Sequence, residues 1–109
     1  MDRPAFAKPE VTKDPDYLAW IRQQPCIVCI TVPPGTIPDN YRGYGVVAPH
    51  HTVRHNDHKT LPMCFNHHRA IHDLPESKWK ELFLLGKKHF IAQCDNYYKK
   101  YLDLLQEEI

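Results

Sequence analysis

Apolar residues recur with a helical period near the start of the chain. Asp14 followed by Pro15 is typical of a helix start, and one apolar face continues from there to Ile21. Pro25 then stops the run, because a proline cannot continue a helix. A short helix over about residues 15–23 is therefore predicted.

The middle of the chain alternates between loop, strand and helix patterns. Residues 30–45 are rich in proline and glycine and predict an exposed loop. The apolar run before His50 and the segment from Thr60 to Met63 predict an irregular β-hairpin, and a helical pattern begins at Phe65.

After Pro75 a helical pattern extends to about Glu107, with a possible break at Gly86. Aromatic and apolar residues recur there every seven positions, which predicts a core stripe, or alternatively a surface for a helical partner. The stripe consists of Phe83, Phe90, Tyr97 and Leu104.

Length and composition bound the class of protein. The chain has 109 residues, of which 42% are hydrophobic and 25% charged, so one small globular domain is expected rather than a disordered or repetitive protein. A formal net charge of +1 excludes a strongly basic, histone-like binder. With no apolar run of transmembrane length and no secretory signal pattern, we expect a cytoplasmic protein without membrane contact.

We predict an α+β fold with three parts. Residues 1–13 form an extended or disordered arm, residues 14–75 the main domain, and residues 76–109 a C-terminal helical extension packed on that domain.

Cysteine and histidine carry the chemistry of the sequence. Seven of the eight histidines lie between His50 and His72, and the four cysteines include a Cys-x-x-Cys pair. The pairs Cys26/Cys29 and Cys64/His67 have the spacing of a split tetrahedral zinc site. The alternative is two buried thiols with an unrelated histidine. The isolated fourth cysteine, Cys94, is interpreted as a small buried apolar residue.

The histidines outside this set predict a second metal. His50 and His51 follow one another in the predicted hairpin, and His68 and His72 share one helix face. Imidazoles from a strand and a helix can hold a divalent ion while another histidine accepts a proton from water, which is a hydrolytic arrangement. Alternatively, these histidines join a larger zinc cluster or are solvated.

These motifs together resemble a known family. The sequence ProCysIleValCys at 25–29, AlaProHisHis at 48–51 and LeuProMetCysPheAsnHisHisArgAlaIleHis at 61–72 resembles HNH endonucleases with a ββα-metal (His-Me finger) core. The resemblance is to small phage recombination-associated HNH proteins of the Ref and DUF968 type, and it covers about residues 17–75. It implies a zinc-stabilised ββα-metal core and DNA cleavage that leaves 5′-phosphate and 3′-hydroxyl ends.

Carried over by position, the resemblance implies a role for each motif residue. His51 is the general base, and the residue that braces its segment is Asn56 or Asp57, because the amine of Lys59 at the usual spacing cannot accept a hydrogen bond. The ligands of the catalytic divalent ion (Mg²⁺, Mn²⁺ or Ni²⁺) are His50, His68 and His72. The ligands of the structural Zn²⁺ are Cys26, Cys29, Cys64 and His67.

The segment around these motifs is locally basic, which favours contact with the phosphates of DNA. The candidate DNA-binding residues are Arg42, Arg54, Lys59 and Arg69. We interpret His55 and His58 as loop residues near phosphate, or otherwise as solvated side chains. No pattern resembles a base-reading helix, so low sequence specificity is expected.

Two further functions compete with a metal-dependent DNA endonuclease or nickase. One is a catalytically silent zinc-binding module for nucleic acid or a protein partner, which the unusual middle position of the motif favours slightly. The other is a metal store or sensor, which the tandem histidines disfavour.

Overall fold

A computed structural model describes residues 11–33 and 35–107 of the chain. Within them the fold is a mixed α+β arrangement of one two-stranded sheet and several helices, which confirms the predicted class. None of the described helices is long and apolar enough to cross a membrane. In chain order the elements are α1 (Pro15–Arg22), α2 (Ile27–Thr31), a 3₁₀ turn (Asp39–Tyr41), β1 (Ala48–His51), β2 (Thr60–Met63), α3 (Phe65–Asp73), α4 (Glu76–Phe83) and α5 (Lys87–Glu107).

Helix α1 forms where the sequence predicts it. The Asp14 carboxylate accepts a hydrogen bond from the Tyr17 N–H at 3.1 Å, and Pro15 occupies the first turn, where a missing N–H costs nothing. The apolar face of the helix buries Tyr17 and Ile21 completely. Residues 1–10 of the predicted arm lie outside the described residues.

The predicted hairpin is confirmed, and its register explains how it tolerates two prolines. β1 and β2 pair antiparallel with Pro49 opposite Pro62. The Thr52 N–H donates to the Lys59 carbonyl at 2.8 Å, so by alternation the two prolines occupy a pair that makes no ladder hydrogen bonds. Neither proline therefore removes a bond from the sheet.

The break predicted near Gly86 is confirmed. α4 ends at Phe83 and is followed by Leu84, whose φ of 60° is left-handed, and α5 begins after Gly86. The Glu76 carboxylate accepts the Lys87 N–H at 3.0 Å and satisfies one free donor of the new helix. The seven-residue stripe is consequently split between two helices.

The stripe is core only in its first half. Phe83 and Phe90 are buried, but Leu104 is 39% exposed near the end of α5, so the predicted core stripe is wrong at that position. α5 packs against β2 and α1, and its contact with α1 extends to Tyr101, whose ring centre lies 5.0 Å from that of Tyr17. Cys94 is fully buried as predicted, with Sγ 3.2 Å from Thr52 Oγ1, and burial raises the pKa of Cys94 above its ordinary value.

Asn66, on the first turn of α3, ties the preceding loop to that helix. Its side chain is 1% exposed and donates to the Arg42 carbonyl at 2.8 Å, while its backbone N–H donates to the Tyr44 carbonyl at 3.1 Å. The side-chain oxygen accepts a bond from Arg69 at 2.8 Å. The loop therefore lies across the start of α3.

We expect Asn66→Ala to lower the free energy of unfolding by about 2 kcal/mol, because it leaves the Arg42 carbonyl without its buried donor. Urea denaturation followed by circular dichroism measures the change. The matched control is Asn96→Ala on the exposed surface of α5, for which a change within about 0.5 kcal/mol is expected. If both substitutions lowered the free energy of unfolding by the same small amount, the hydrogen bonds of Asn66 would not be what holds the loop against α3.

Candidate metal centres and active site

Two short helices begin with the same arrangement of donors. Cys26 is the N-cap of α2 and Cys29 lies in its first turn, while Cys64 and His67 occupy the equivalent positions of α3. This spacing places each pair of donor atoms together at the start of its helix. The four atoms, three Sγ and one imidazole nitrogen, lie within 4.8 Å of one another, and we call this set the four-donor centre.

The distances in the four-donor centre fit a zinc ion. His67 Nδ1 lies 3.5 Å from the sulfurs of Cys26 and Cys29 and 3.4 Å from that of Cys64. Tetrahedral zinc with ordinary bond lengths separates sulfur and nitrogen ligands by about 3.6 Å. The His67 Nε2–H donates to the Tyr41 carbonyl at 2.8 Å, so the Nδ1 lone pair faces the sulfurs.

The surroundings of the four-donor centre favour a bound cation. A hydrogen bond from the Cys26 thiol, together with His67, holds the pKa of Cys64 well below its ordinary value, although burial opposes this. Gly43 packs directly against Cys29, because a Cβ added at residue 43 would lie 2.3 Å from Cys29 Sγ. Only glycine leaves room for this sulfur. The donors can therefore hold a zinc ion, as the spacing predicts.

Three further histidines meet between the sheet and α3, and we call them the histidine triad. His50 comes from β1, and His68 and His72 come from successive turns of α3. One nitrogen of each lies within 4.8 Å of the others, and the Nε2 atoms of His68 and His72 are 3.0 Å apart. Two ligands at right angles in an octahedral site, with bonds of about 2.1 Å, lie about 3.0 Å apart.

Two members of the histidine triad, His50 and His68, are held in the neutral form that binds metals. Burial, followed by repulsion from His68, His72 and His51, lowers the pKa of His50 to about 4. Burial also lowers the pKa of His68. His50 Nδ1 is buried and has no hydrogen-bond partner among the described residues. Neutral imidazoles with free lone pairs are available to a divalent cation.

His51, the last residue of β1, is fixed by a carboxylate. Its Nε2 lies 2.9 Å from Asp57 Oδ1, and the Asp14 N–H donates to the other oxygen, Oδ2, at 2.8 Å. Burial alone would raise the pKa of Asp57, but the hydrogen bonds from His51 and Asp14 lower it below its ordinary value. Because the carboxylate only accepts, Nε2 carries the hydrogen in the neutral form of His51, and the lone pair of that form is on Nδ1.

His51 lines two clefts. The first cleft, of about 360 Å³, contains His50 and His72 and has an apolar wall that includes Trp79 and Phe90. The second cleft, of about 370 Å³, is also lined by Asp57 and by basic side chains. The other residues that line the second cleft are Val11, Thr12, Lys13, Arg54 and His55.

Asn56 and Asp57 are the two candidates for bracing His51. Among the described residues, only Asp57 of these two forms a hydrogen bond with His51. Asn56 Oδ1 instead accepts the His58 N–H at 3.0 Å within the loop between the strands. Asn56 therefore shapes the loop from which Asp57 reaches His51.

The four predicted DNA-binding residues lie in different surroundings. Arg54 lines the second cleft, and Arg42 lies beside the four-donor centre. Lys59 forms an ion pair with Asp95 of α5. Arg69 bonds to Asn66 and lies 5.7 Å from the centre of the Phe65 ring.

Sequence reasoning missed the role of His58. It was expected near phosphate or in solvent, but its Nε2 lies 2.9 Å from Asp14 Oδ2 and its ring stacks on Tyr98 at 4.0 Å. Asp14 thus caps α1 and holds His58, while its N–H holds Asp57. The helix-start pattern identified only the first of these roles, because the other partners are more than 40 residues away in sequence.

Comparison with known proteins gives a family. No significant match was found among curated proteins or among solved structures. A family model described as "Protein of unknown function (DUF968)" matches residues 1–95, which include the four-donor centre, the histidine triad and His51. The chain belongs to the DUF968 family.

Proposed function

We propose that the chain is a metal-dependent endonuclease or nickase of HNH type that hydrolyses DNA phosphodiester bonds with low sequence specificity. One observation carries the proposal: the histidine triad converges beside His51, whose tautomer is fixed by Asp57. The order β1, β2, α3 supports a ββα-metal core, since the strand and helix that supply the triad are those of that motif.

We assign a structural zinc ion to the four-donor centre. Three of its four residues are buried, and its donors complete a shell of three sulfurs and one nitrogen. A shell complete in protein ligands suits a structural role, because no position remains for a substrate. The zinc ion would join the starts of α2 and α3.

We assign the catalytic divalent ion to His50, His68 and His72. Three protein ligands leave positions for water and a phosphate oxygen, and the first cleft gives a substrate access to His72. A divalent ion such as Mg²⁺, Mn²⁺ or Ni²⁺ held there would neutralise negative charge that develops on the phosphate during hydrolysis.

His51 acts as the general base. In the proposed step a water oxygen bonds to phosphorus while the P–O3′ bond breaks, and the 3′ oxygen leaves with a proton taken from solvent water. The attacking water must lose its own proton as it bonds. The lone pair on His51 Nδ1 accepts that proton, and the Nε2–H bond to Asp57 stabilises the resulting imidazolium. Asp57 is thus a positioning residue that keeps the base in its useful tautomer.

Low sequence specificity fits the chemistry of the surrounding side chains. The basic groups near His51, such as Arg54 in the second cleft, suit contact with phosphate. Phosphate contacts position a nucleic acid without reading its bases.

We expect purified protein to retain one zinc ion per chain through dialysis, and Cys26→Ser to lose the metal and unfold, because metal binding and folding are coupled. Elemental analysis and thermal melting measure both effects. The matched control is Cys94→Ala, a buried cysteine outside the four-donor centre that should keep its zinc. Zinc-free wild-type protein, or unchanged melting of Cys26→Ser, would exclude the structural zinc.

We expect His51→Ala to lower the rate of plasmid nicking about 10²- to 10⁴-fold with little change in metal affinity, because only the general base is lost. Asp57→Asn should lower the rate about tenfold or more, since an amide no longer selects the His51 tautomer. His72→Ala should instead weaken binding of Mn²⁺, measured by calorimetry. The matched control for Asp57→Asn is Asp103→Asn, an exposed carboxylate near the end of α5 that pairs with Lys99.

Three outcomes would change the proposal. Nicking by His51→Ala at the wild-type rate would remove the proposed active site. If His51→Ala lost the metal and His50→Ala retained it, His51 would be the metal ligand and His50 the general base. Wild-type protein that binds DNA without cleaving it, with each candidate metal added, would favour a silent zinc-binding module.

A further inference from the structure

The segment from Val11 to Asp14, which we call the strap, is bonded to the loop between β1 and β2. The Thr12 N–H donates to the His55 carbonyl at 2.9 Å, and the Thr12 carbonyl accepts the Asp57 N–H at 2.9 Å. Asp14 adds the bond from its N–H to the Asp57 carboxylate. Lys13 lies between these two bonded residues, so its backbone is fixed at the edge of the second cleft.

The second cleft has cations on two sides. Lys13 lines it from the strap and Arg54 lines it from the loop, and both residues are exposed. Within residues 11–33 and 35–107, neither side chain forms an ion pair with a carboxylate. Asp57, the carboxylate that lines the cleft, is already bonded to His51 and to the Asp14 N–H. The cleft therefore has an excess of positive charge.

Other basic side chains are less available to a ligand near His51. Lys59 is paired with Asp95, and Arg69 is engaged by Asn66 and the Phe65 ring. By contrast, Lys13 and Arg54 line the same cleft as His51 itself. An anion in this cleft would lie beside His51, the proposed general base.

We propose that Lys13 and Arg54 form a phosphate clamp for a nucleic-acid strand. The clamp binds a backbone phosphate that neighbours the one cleaved, so that the strand runs from the second cleft past His51 into the first. The ligand is a phosphodiester chain, because both clefts share His51 and such a chain carries a negative charge at each successive phosphate. The inference rests on the proposed function for the position of the cleaved phosphate, but its test is a binding measurement.

The test measures binding of a fluorescein-labelled 20-base-pair DNA duplex by anisotropy at several salt concentrations. All proteins carry His72→Ala, which suppresses cleavage and leaves the second cleft unchanged. Adding Lys13→Gln and Arg54→Gln should lower the slope of log K against log salt by about 1.8, at about 0.9 for each lost phosphate contact. The matched control adds Lys99→Gln and Lys100→Gln on α5, removing the same charge, and should change the slope by less than about 0.5.

An unchanged slope in the Lys13/Arg54 variant would overturn the clamp. An equal loss of slope in the α5 control, or no measurable binding to the duplex, would also overturn it. Zinc content and melting temperature confirm that each variant is folded. Nicking by protein with an intact His72 is measured separately. A lowered slope without nicking would support the clamp and reject the nuclease, whereas nicking with an unchanged slope would reject the clamp alone.

Discussion

The convergence of three cysteine sulfurs and one histidine nitrogen at the starts of α2 and α3 is the interaction on which the rest of the structure depends. A two-stranded hairpin is marginal by itself, and a chain of 109 residues buries only a small core. The four-donor centre joins α2, which precedes the hairpin in sequence, to α3, which follows it. Through the bond from His67 to Tyr41 and the close approach of Gly43, it also holds the long loop against α3.

Helix α3 links this centre to the proposed chemistry. His67 belongs to the four-donor centre, while His68, the next residue, belongs to the histidine triad together with His72. Whatever fixes the start of α3 therefore also fixes two of the three ligands proposed for the catalytic ion. On the other side of the site, Asp14 connects the cap of α1 to Asp57 and so to His51. The proposed base and the proposed ligands are thus held by different parts of the fold.

The sequence predicts what depends on local spacing and misses what depends on distant packing. The gaps between Cys26 and Cys29 and between Cys64 and His67 predict the four-donor centre, because each gap lies within one helical turn. The strap and His58 follow no local pattern, since their partners are brought near only by the folded chain. The break at Gly86 is predicted from the glycine, but the heptad spacing cannot show that Leu104 lies outside the core.

The most direct test of the central claim is zinc K-edge X-ray absorption on the purified protein. The account predicts one zinc ion per chain with three sulfur ligands at about 2.3 Å and one nitrogen at about 2.05 Å. His67→Cys should replace the nitrogen signal with a fourth sulfur, since His67 supplies the nitrogen donor of the centre. A zinc site with nitrogen and oxygen ligands only, or protein that is folded without zinc, would contradict the account.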